Sequence, residues 1–344
     1  MLMNQSSKRK KDHIEISLYE EVSFKKSTGF EKYEFVHHAS SELTPEEIDL
    51  GVDFFGQRIS FPFLISSMTG GNKTGEKLNI ELAQAANQLK IPIGIGSQRI
   101  MLEDPTRSEE FKAIPKHAGN APVLANIGAY EFIHFPLKNI YNLAETVNAK
   151  GLIVHLNLLQ EFLQIEGKAN FKGLKKRIET FTKEFPLPLI IKEVGFGINK
   201  NSAKELLNAG ANGIDVAGAG GTDWSKIENI RSGEQKGKIF ENWGLPTAYC
   251  IRRVKKLKKE FNFLLIGSGG INNPMNFAKA IALGADVAAS ARILLQTAHT
   301  KGTRGVVDLL EYFSDVLRKV MILTNSKTIK EFQKNKLIFS EELY

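Results

Sequence analysis

Cysteine is almost missing from this 344-residue chain, in which Cys250 stands alone. A single cysteine excludes an internal disulfide framework and a cysteine-built metal site. No run of about 18 apolar residues occurs, so no membrane span is expected. The opening MLMNQSSKRKKDH carries charge with no apolar segment behind it, so no secretory signal is expected either. Aromatic residues are absent from the basic runs KRKK (8–11) and RRVKKLKK (252–259). Charge without interleaved stacking rings is a poor match to nucleic acid. A cytoplasmic protein with no nucleic-acid or membrane partner is therefore expected.

What is present is ordinary for a globular chain: 42% hydrophobic and 24% charged residues. The net charge of +8, taken alone, suits nucleic acid, a membrane surface or a phosphorylated small molecule. RRVKKLKK reads as the solvated face of a helix, with Val254 and Leu257 turned to the core. KRKK taken alone reads as a basic tail. Short apolar runs alternate with helical patterns over residues 63–295. The candidate strands are FLISS (63–67), PIGIGS (92–97), VLANIG (123–128), GLIVHLN (151–157), LIIKEV (189–194), GIDVAG (213–218), FLLIGS (263–268) and DVAAS (286–290). Helix periodicity fills 75–90, 137–151, 171–185 and 199–211, with Asn199 or Ser202 as cap and Gly210 as stop. A doubly wound sheet also alternates strand and helix. Eight repeats suffice to close a ring, and polar residues cluster where many strands end. The expected fold is therefore α/β, a (β/α)8 TIM barrel. An N-terminal arm and cap (1–60) precedes a barrel with C-terminal helices (61–344).

In a barrel the carboxyl ends of the strands share one rim, where active sites sit. GSGGINNP follows the seventh strand. Gly269 and Gly270 leave backbone N–H groups open to an anion, and Asn273 can cap a helix with Pro274 at its first position. That is where barrels place a phosphate, completed here by Ser290 and Ala291 after strand eight. Lys192 ends an apolar strand and points to the interior by alternation. A buried lysine needs a partner: either a neighbouring carboxylate or an electron-rich, anionic ligand such as the pyrimidine edge of a flavin. Asn126 and Ser97 suit the same ring. Met68 and Thr69, with the glycines after them, leave room for a flat aromatic cofactor.

These motifs resemble one family, the type 2 isopentenyl diphosphate isomerases, which are FMN-dependent barrels. The matching pieces are RKKDH (9–13), SSMTGG (66–71), GIGSQR (94–99) with LEDP (102–105), HLNLLQE (155–161), KEVGFGI (192–198), AGAGGTDW (217–224) with Arg231, NWGLPT (242–247) and GSGGI (267–271). They run in order through most of the chain. Two places depart from the family pattern. Asp223 stands where a serine is common, and AASARILL lacks the usual glycine and proline around strand eight.

The resemblance implies reversible migration of a double bond between isopentenyl and dimethylallyl diphosphate, in isoprenoid biosynthesis. A proton is added at one carbon and removed from another. It implies FMN in its reduced form, Mg²⁺, and NADPH as reductant, in a homotetramer or homo-octamer. The cofactor set it implies is Ser67, Met68, Thr69, Ser97, Asn126, Lys192, Thr222, Gly269, Gly270, Ser290 and Ala291. The diphosphate set is Arg9, Lys10, His13, Ser97, Arg99, His155 and Asn157. Glu161 is the expected Mg²⁺ ligand, since Mg²⁺ takes one or two carboxylates plus phosphate oxygens and water. Gln160 is placed beside the isoprenoid tail as substrate-binding and catalytic, although an amide is a poor acid or base near pH 7.

Rival readings are weaker. An FMN-dependent 2-hydroxy acid oxidase uses a histidine after strand six, where this chain has GAGGTDW. A cysteine-dependent dehydrogenase is disfavoured because Cys250 falls in a helical stretch. A basic nucleic-acid-binding protein would show steep salt-dependent binding without flavin.

Overall fold

The computed structural model describes residues 2–67, 73–233, 237–334 and 336–342. The chain opens with a helix, Leu2–Tyr19, hereafter the arm helix. A short strand β1 (Tyr33–Phe35) and a hairpin of β2 (Val52–Phe54) and β3 (Gln57–Ile59) follow. Eight parallel strands then close a barrel: β4 (Phe63–Ile65), β5 (Ile93–Gly94), β6 (Val123–Gly128), β7 (Gly151–Leu156), β8 (Leu189–Glu193), β9 (Gly213–Asp215), β10 (Leu264–Ser268) and β11 (Val287–Ser290). They pair in chain order, and β11 returns to β4 to complete the ring. All eight fall inside the runs expected from sequence.

Period-two alternation decides what faces the barrel axis. Leu64, Leu124, Ile153, Ile190, Ile266, Val287 and Ala289 form one buried cluster with Phe54 and Ile59 of the hairpin. This cluster fills the lower interior, and the hairpin closes it from the amino-terminal side. Each Leu, Ile, Val and Phe side chain in it contributes about 1.5–3 kcal/mol by leaving water. Two residues further along the same face, the side chains turn polar. Leu64 leads to Ser66, Leu124 to Asn126, Ile153 to His155, Ile190 to Lys192, and Ile266 to Ser268. The apolar floor thus dictates a polar upper layer. The outward strand faces, including Phe63, Val154, Ile191 and Leu265, pack under the helices in the larger core.

The expected helices appear as Lys73–Leu89, Leu137–Thr146, Leu174–Glu184 and Lys200–Asn208. Asn199 rather than Ser202 caps the last of these, accepting from the Ser202 N–H at 2.9 Å. Asn273 likewise caps Pro274–Leu283 through the Asn276 N–H at 2.9 Å. RRVKKLKK forms the end of one helix and a 3₁₀ turn, with Val254 and Leu257 fully buried. The C-terminal region is not wholly helical. After the long helix Arg292–Leu323, kinked at Gly302, and a single turn Ile329–Phe332, β12 (Leu337–Phe339) pairs antiparallel with β1. The LIF run is too short to carry a clear strand signal, and its partner, Tyr33–Phe35, lies at the other end of the chain. Among the described residues no helix is long and apolar enough to cross a membrane.

Candidate active site

A cavity of about 350 Å³ opens at the carboxyl ends of the strands. Arg9, Lys10, His13, Ser67, Ser97, Arg99, Asn126, His155, Asn157, Gln160, Glu161, Lys192, Thr222, Gly269, Gly270, Ser290 and Ala291 all line it. Met68 and Thr69 lie outside the described residues. HLNLLQE and GSGG therefore open onto one space.

On the barrel floor of this space, His155, Lys192 and Asp215 are register partners across β7, β8 and β9. Lys192 Nζ lies 3.1 Å from Asp215 Oδ2, so the neighbouring carboxylate is its partner while the lysine still faces the cavity. Asp215 Oδ1 accepts from Ser268 Oγ at 2.6 Å. Asn126 Nδ2 donates to Ile95 O at 3.0 Å, which leaves its Oδ1 for His155 Nδ1 at 2.9 Å. His155 is thereby fixed with the proton on Nδ1 and an open acceptor at Nε2. Burial, then the charges of Lys192, Arg9 and Arg99, push its pKa down to about 4. Neutral His155 can donate to a phosphate only by taking up a second proton, which an adjacent anion favours.

The arm helix closes the other side. KRKK is helical rather than a loose tail, and Arg9 and Lys10 are only 9% and 8% exposed. Lys10 Nζ donates to Ser97 O at 3.2 Å. Burial, then the neighbouring Arg9 charge, lower the Lys10 pKa to about 7. Arg99 Nε is paired with Glu103 at 2.7 Å and lies 3.3 Å from Glu131.

The polar residues after β7 are locked into a chain of bonds. Asn157 Nδ2 donates to Glu161 Oε1 at 2.8 Å and reaches Gln160 Oε1 at 3.4 Å. Gln160 Nε2 donates to Glu228 Oε1 at 2.8 Å, and His13 Nε2 reaches the same oxygen at 2.9 Å. Arg231 Nε donates to Glu228 Oε2 at 2.8 Å and its Nη atoms grip Glu166. Burial alone would raise the Glu228 pKa. Hydrogen bonds from His13, Gln160 and Arg231 instead hold it at about 2.

The FMN-dependent dehydrogenase family model matches residues 4–113 and 159–339. A curated isopentenyl-diphosphate delta-isomerase from Pelodictyon phaeoclathratiforme is 41% identical, with 97% of this chain and 98% of that protein aligned. The chain belongs to the FMN-dependent isopentenyl-diphosphate delta-isomerase family. Another member, from Nostoc sp., is 38% identical over 96% of this chain and 95% of its own. Solved structures similar in fold include a flavocytochrome b2 variant with sulfite bound (TM-score 0.70, 18% identity, 95% of this chain and 83% of that one). A mandelate oxidase with a fluorinated hydroxy acid is similar too (TM-score 0.66, 15% identity, 98% of both chains).

The isomerase family's flavin fits the groups present. Ser67 Oγ is buried with no hydrogen-bond partner among the described residues. Gly269 and Gly270 have φ of 103° and 71°, and a Cβ there would lie 2.1 Å from Gly218 O and 2.4 Å from Thr28 Cγ2 respectively. Only glycine fits both the backbone and the space at these two positions, and both line the cavity. A Mg²⁺ ion fits less completely. Among the described residues no cluster of three or more His, Cys, Asp or Glu side chains could hold a metal by itself. Glu161 offers one carboxylate, now bonded to Asn157 Nδ2 and the Lys168 N–H. Such a donor set suits an ion that takes its other ligands from diphosphate and water.

Sequence reasoning missed Glu228. A signal existed: the helix Trp224–Ser232 begins after Asp223, so residues 224, 227, 228 and 231 share its inward face. Glutamate and arginine stand there where a core stripe calls for apolar side chains. Asp223 has its own structural account. It is fully buried, caps that helix through the Ser225 N–H at 3.0 Å, and accepts the Asn242 N–H at 3.0 Å.

Proposed function

We propose that this enzyme interconverts isopentenyl and dimethylallyl diphosphate, with reduced FMN, Mg²⁺ and NADPH as the source of reduction. One observation carries the reading: a bare glycine turn on one side and a buried cationic helix on the other face a single cavity. That cavity suits a phosphorylated cofactor and a diphosphate substrate together. Ser67, Ser97, Asn126, Lys192 and Thr222 would hold the flavin ring system, with Gly269, Gly270, Ser290 and Ala291 at its phosphate; Met68 and Thr69 remain candidates. When bound, reduced FMN supplies an electron-rich ring able to exchange a proton with the alkene carbons and to stabilise developing positive charge.

The chain's own residues set the substrate's position. Arg9, Lys10, His13 and Arg99 supply positive charge for the diphosphate, and arginine does so with a two-pronged fork. Binding an anion reverses the cost of burying Lys10 and raises its pKa. Asn157 and His155 extend the donor set, and Glu161 carries Mg²⁺ to the same oxygens. Gln160 lines the same cavity. Its amide is oriented by Glu228, which at a pKa of about 2 is too weak a base to take a proton near pH 7. Glu228 therefore aims Gln160 rather than acting as the acceptor. Trp224 and Val194 give the apolar wall that a five-carbon tail requires.

An oxidase reading draws on the same family model and fold. No histidine occurs in the segment after β9, GAGGTDW, so the base that reading needs is missing. Cys250 cannot replace it, because burial pushes its thiol up to about 12. The deciding experiment incubates FMN-loaded protein, reduced by NADPH, with isopentenyl diphosphate and Mg²⁺. The expected result is a yellow protein that forms dimethylallyl diphosphate only after reduction. Equal activity of apoprotein, oxidised and reduced forms would overturn the reading.

A further inference from the structure

One buried carboxylate of the cavity wall is neither a flavin, a substrate nor a metal ligand in the reading above. Glu131 stands in the first turn of the short helix Ala129–His134, directly after β6. It is 6% exposed and lines the cavity. On one side its Oε1 lies 3.3 Å from Arg99 Nε, which already donates to Glu103 Oε1 at 2.7 Å. Arg99 therefore faces two carboxylates before any diphosphate arrives. On the other side is His155. A Cβ at Gly128 would lie 2.5 Å from Glu131 Oε2 and 3.3 Å from His155 Nε2, so carboxylate and imidazole flank one point above a glycine. With the His155 proton on Nδ1, both of these atoms are acceptors. Burial raises the Glu131 pKa. The charges of Arg99 and Arg9 and its own backbone N–H oppose this without cancelling it, and the Glu161 charge adds to it.

A carboxylate buried in a diphosphate site has to be reconciled with the anion that enters. Bare diphosphate must share Arg99 with Glu103 and Glu131, and it brings further acceptors to Glu131 and His155. One like charge about 10 Å away costs roughly tenfold in binding at an effective dielectric of about 20, and more when closer. A divalent cation carried on the diphosphate offsets that repulsion. We infer that Glu131 is a specificity-determining residue: its carboxylate, set between Arg99 and His155, makes the site favour diphosphate complexed with a divalent cation over the bare anion. This rests on the diphosphate and Mg²⁺ reading above, and adds a residue that acts on the ligand's charge without ligating the metal. The arm helix that carries Arg9 and Lys10 is held independently of Glu131. At its carboxyl end Arg292 donates from Nε to Ser17 O at 2.8 Å and from Nη2 to Glu20 O at 2.6 Å.

The test titrates inorganic pyrophosphate into the FMN-loaded enzyme by calorimetry, once in EDTA and once in saturating Mg²⁺. The unsubstituted enzyme should bind pyrophosphate more tightly with Mg²⁺, by roughly tenfold or more. Glu131→Gln keeps the size and removes the charge. It should tighten metal-free binding roughly tenfold and leave binding with Mg²⁺ nearly unchanged, so that the ratio of the two affinities narrows. Glu131→Met, neutral by another route, should narrow the ratio in the same direction, and Glu131→Asp, which keeps the charge, should preserve it. A purely structural part for Glu131, holding Arg99 in place, predicts instead that Glu131→Gln weakens both titrations equally. An unchanged ratio in the two neutral variants, whatever happens to the affinity itself, would overturn the inference and leave the Mg²⁺ reading standing. No advantage of Mg²⁺ in the unsubstituted enzyme would overturn both.

Discussion

Replacing Glu228 by glutamine keeps the shape of the site and removes one buried charge. The carboxylate is 1% exposed and accepts from His13, Gln160 and Arg231. Its pKa falls from the ordinary 4.5 to about 2 in the folded chain. At 1.36 kcal/mol per unit, this corresponds to roughly 3 kcal/mol of stability near neutral pH. Using ~2.1 cal/mol/K of unfolding entropy per residue, the melting temperature should drop by about 4 °C. A carboxylate with a lower pKa folded than unfolded gives its full stabilisation above pH 4.5, and loses it as pH falls toward 2. The melting curve of Glu228→Gln should therefore lie below that of the parent at pH 7 and converge with it near pH 2–3. Catalysis should suffer separately. An amide at 228 can turn either its oxygen or its nitrogen to Gln160, so the fixed aim of the Gln160 amide is lost. Losing a charged hydrogen bond used at the transition state costs roughly tenfold to a hundredfold in kcat. The assay is dimethylallyl diphosphate formation at saturating FMN and substrate, beside melts from pH 3 to 7. An unchanged kcat together with an unshifted melt at pH 7 would refute this account of Glu228.

Gln160→Ala should lose most turnover yet keep a normal FMN absorbance spectrum and flavin stoichiometry; full activity would remove Gln160 from the reaction. Glu161→Ala should leave FMN bound and demand more Mg²⁺, seen as a rise of about tenfold or more in the Mg²⁺ concentration for half-maximal rate. Wild-type Mg²⁺ dependence in that variant would place the ion elsewhere. Lys10→Met should separate stability from function. The folded Lys10 pKa of about 7 lies below the ordinary 10.5, so the unfolded chain holds more protons between those values. Stability then rises with pH across that window. Thermal melts should show Lys10→Met more stable than the parent below pH 7, with the gain shrinking toward pH 10.5. Its KM for the diphosphate should rise. A lower melting temperature at pH 6 would show that Lys10 is not a buried charge awaiting an anion.

The barrel was legible because its physics is repetitive. Each interior strand position follows the period-two rule, so Ile190 announces Lys192 and Ile153 announces His155. The glycine turn was legible for a local reason, since two adjacent glycines before an Asn-Pro helix start permit little else. What escaped depends on packing between distant segments. The β1 and β12 pair joins strands of three residues each, whose partners lie at opposite ends of the chain. Glu228 meets Gln160 across 68 residues and His13 across 215. Arg292 was hidden differently: an arginine opening a helix has no reason, in sequence alone, to point at a segment 275 residues upstream.

The arm helix shows why those distant contacts belong together. A helix of this composition has little cause to form alone, with no acidic residue in its first turn and no basic residue in its last. It forms here because Ile14 and Ile16 are buried and because Arg292, Ser97 and Glu228 hold it. The same docking buries Arg9 beside Lys10; burial lowers the proton affinity of both, the Arg99 charge lowers that of Arg9 further, and the Arg9 charge lowers that of Lys10. Two adjacent buried cations without a full set of counter-charges are unfavourable. A diphosphate bound against them removes that repulsion. The arm helix is thus held over the cavity partly by contacts outside the substrate position, those of Arg292, and a bound diphosphate would supply the missing negative charge.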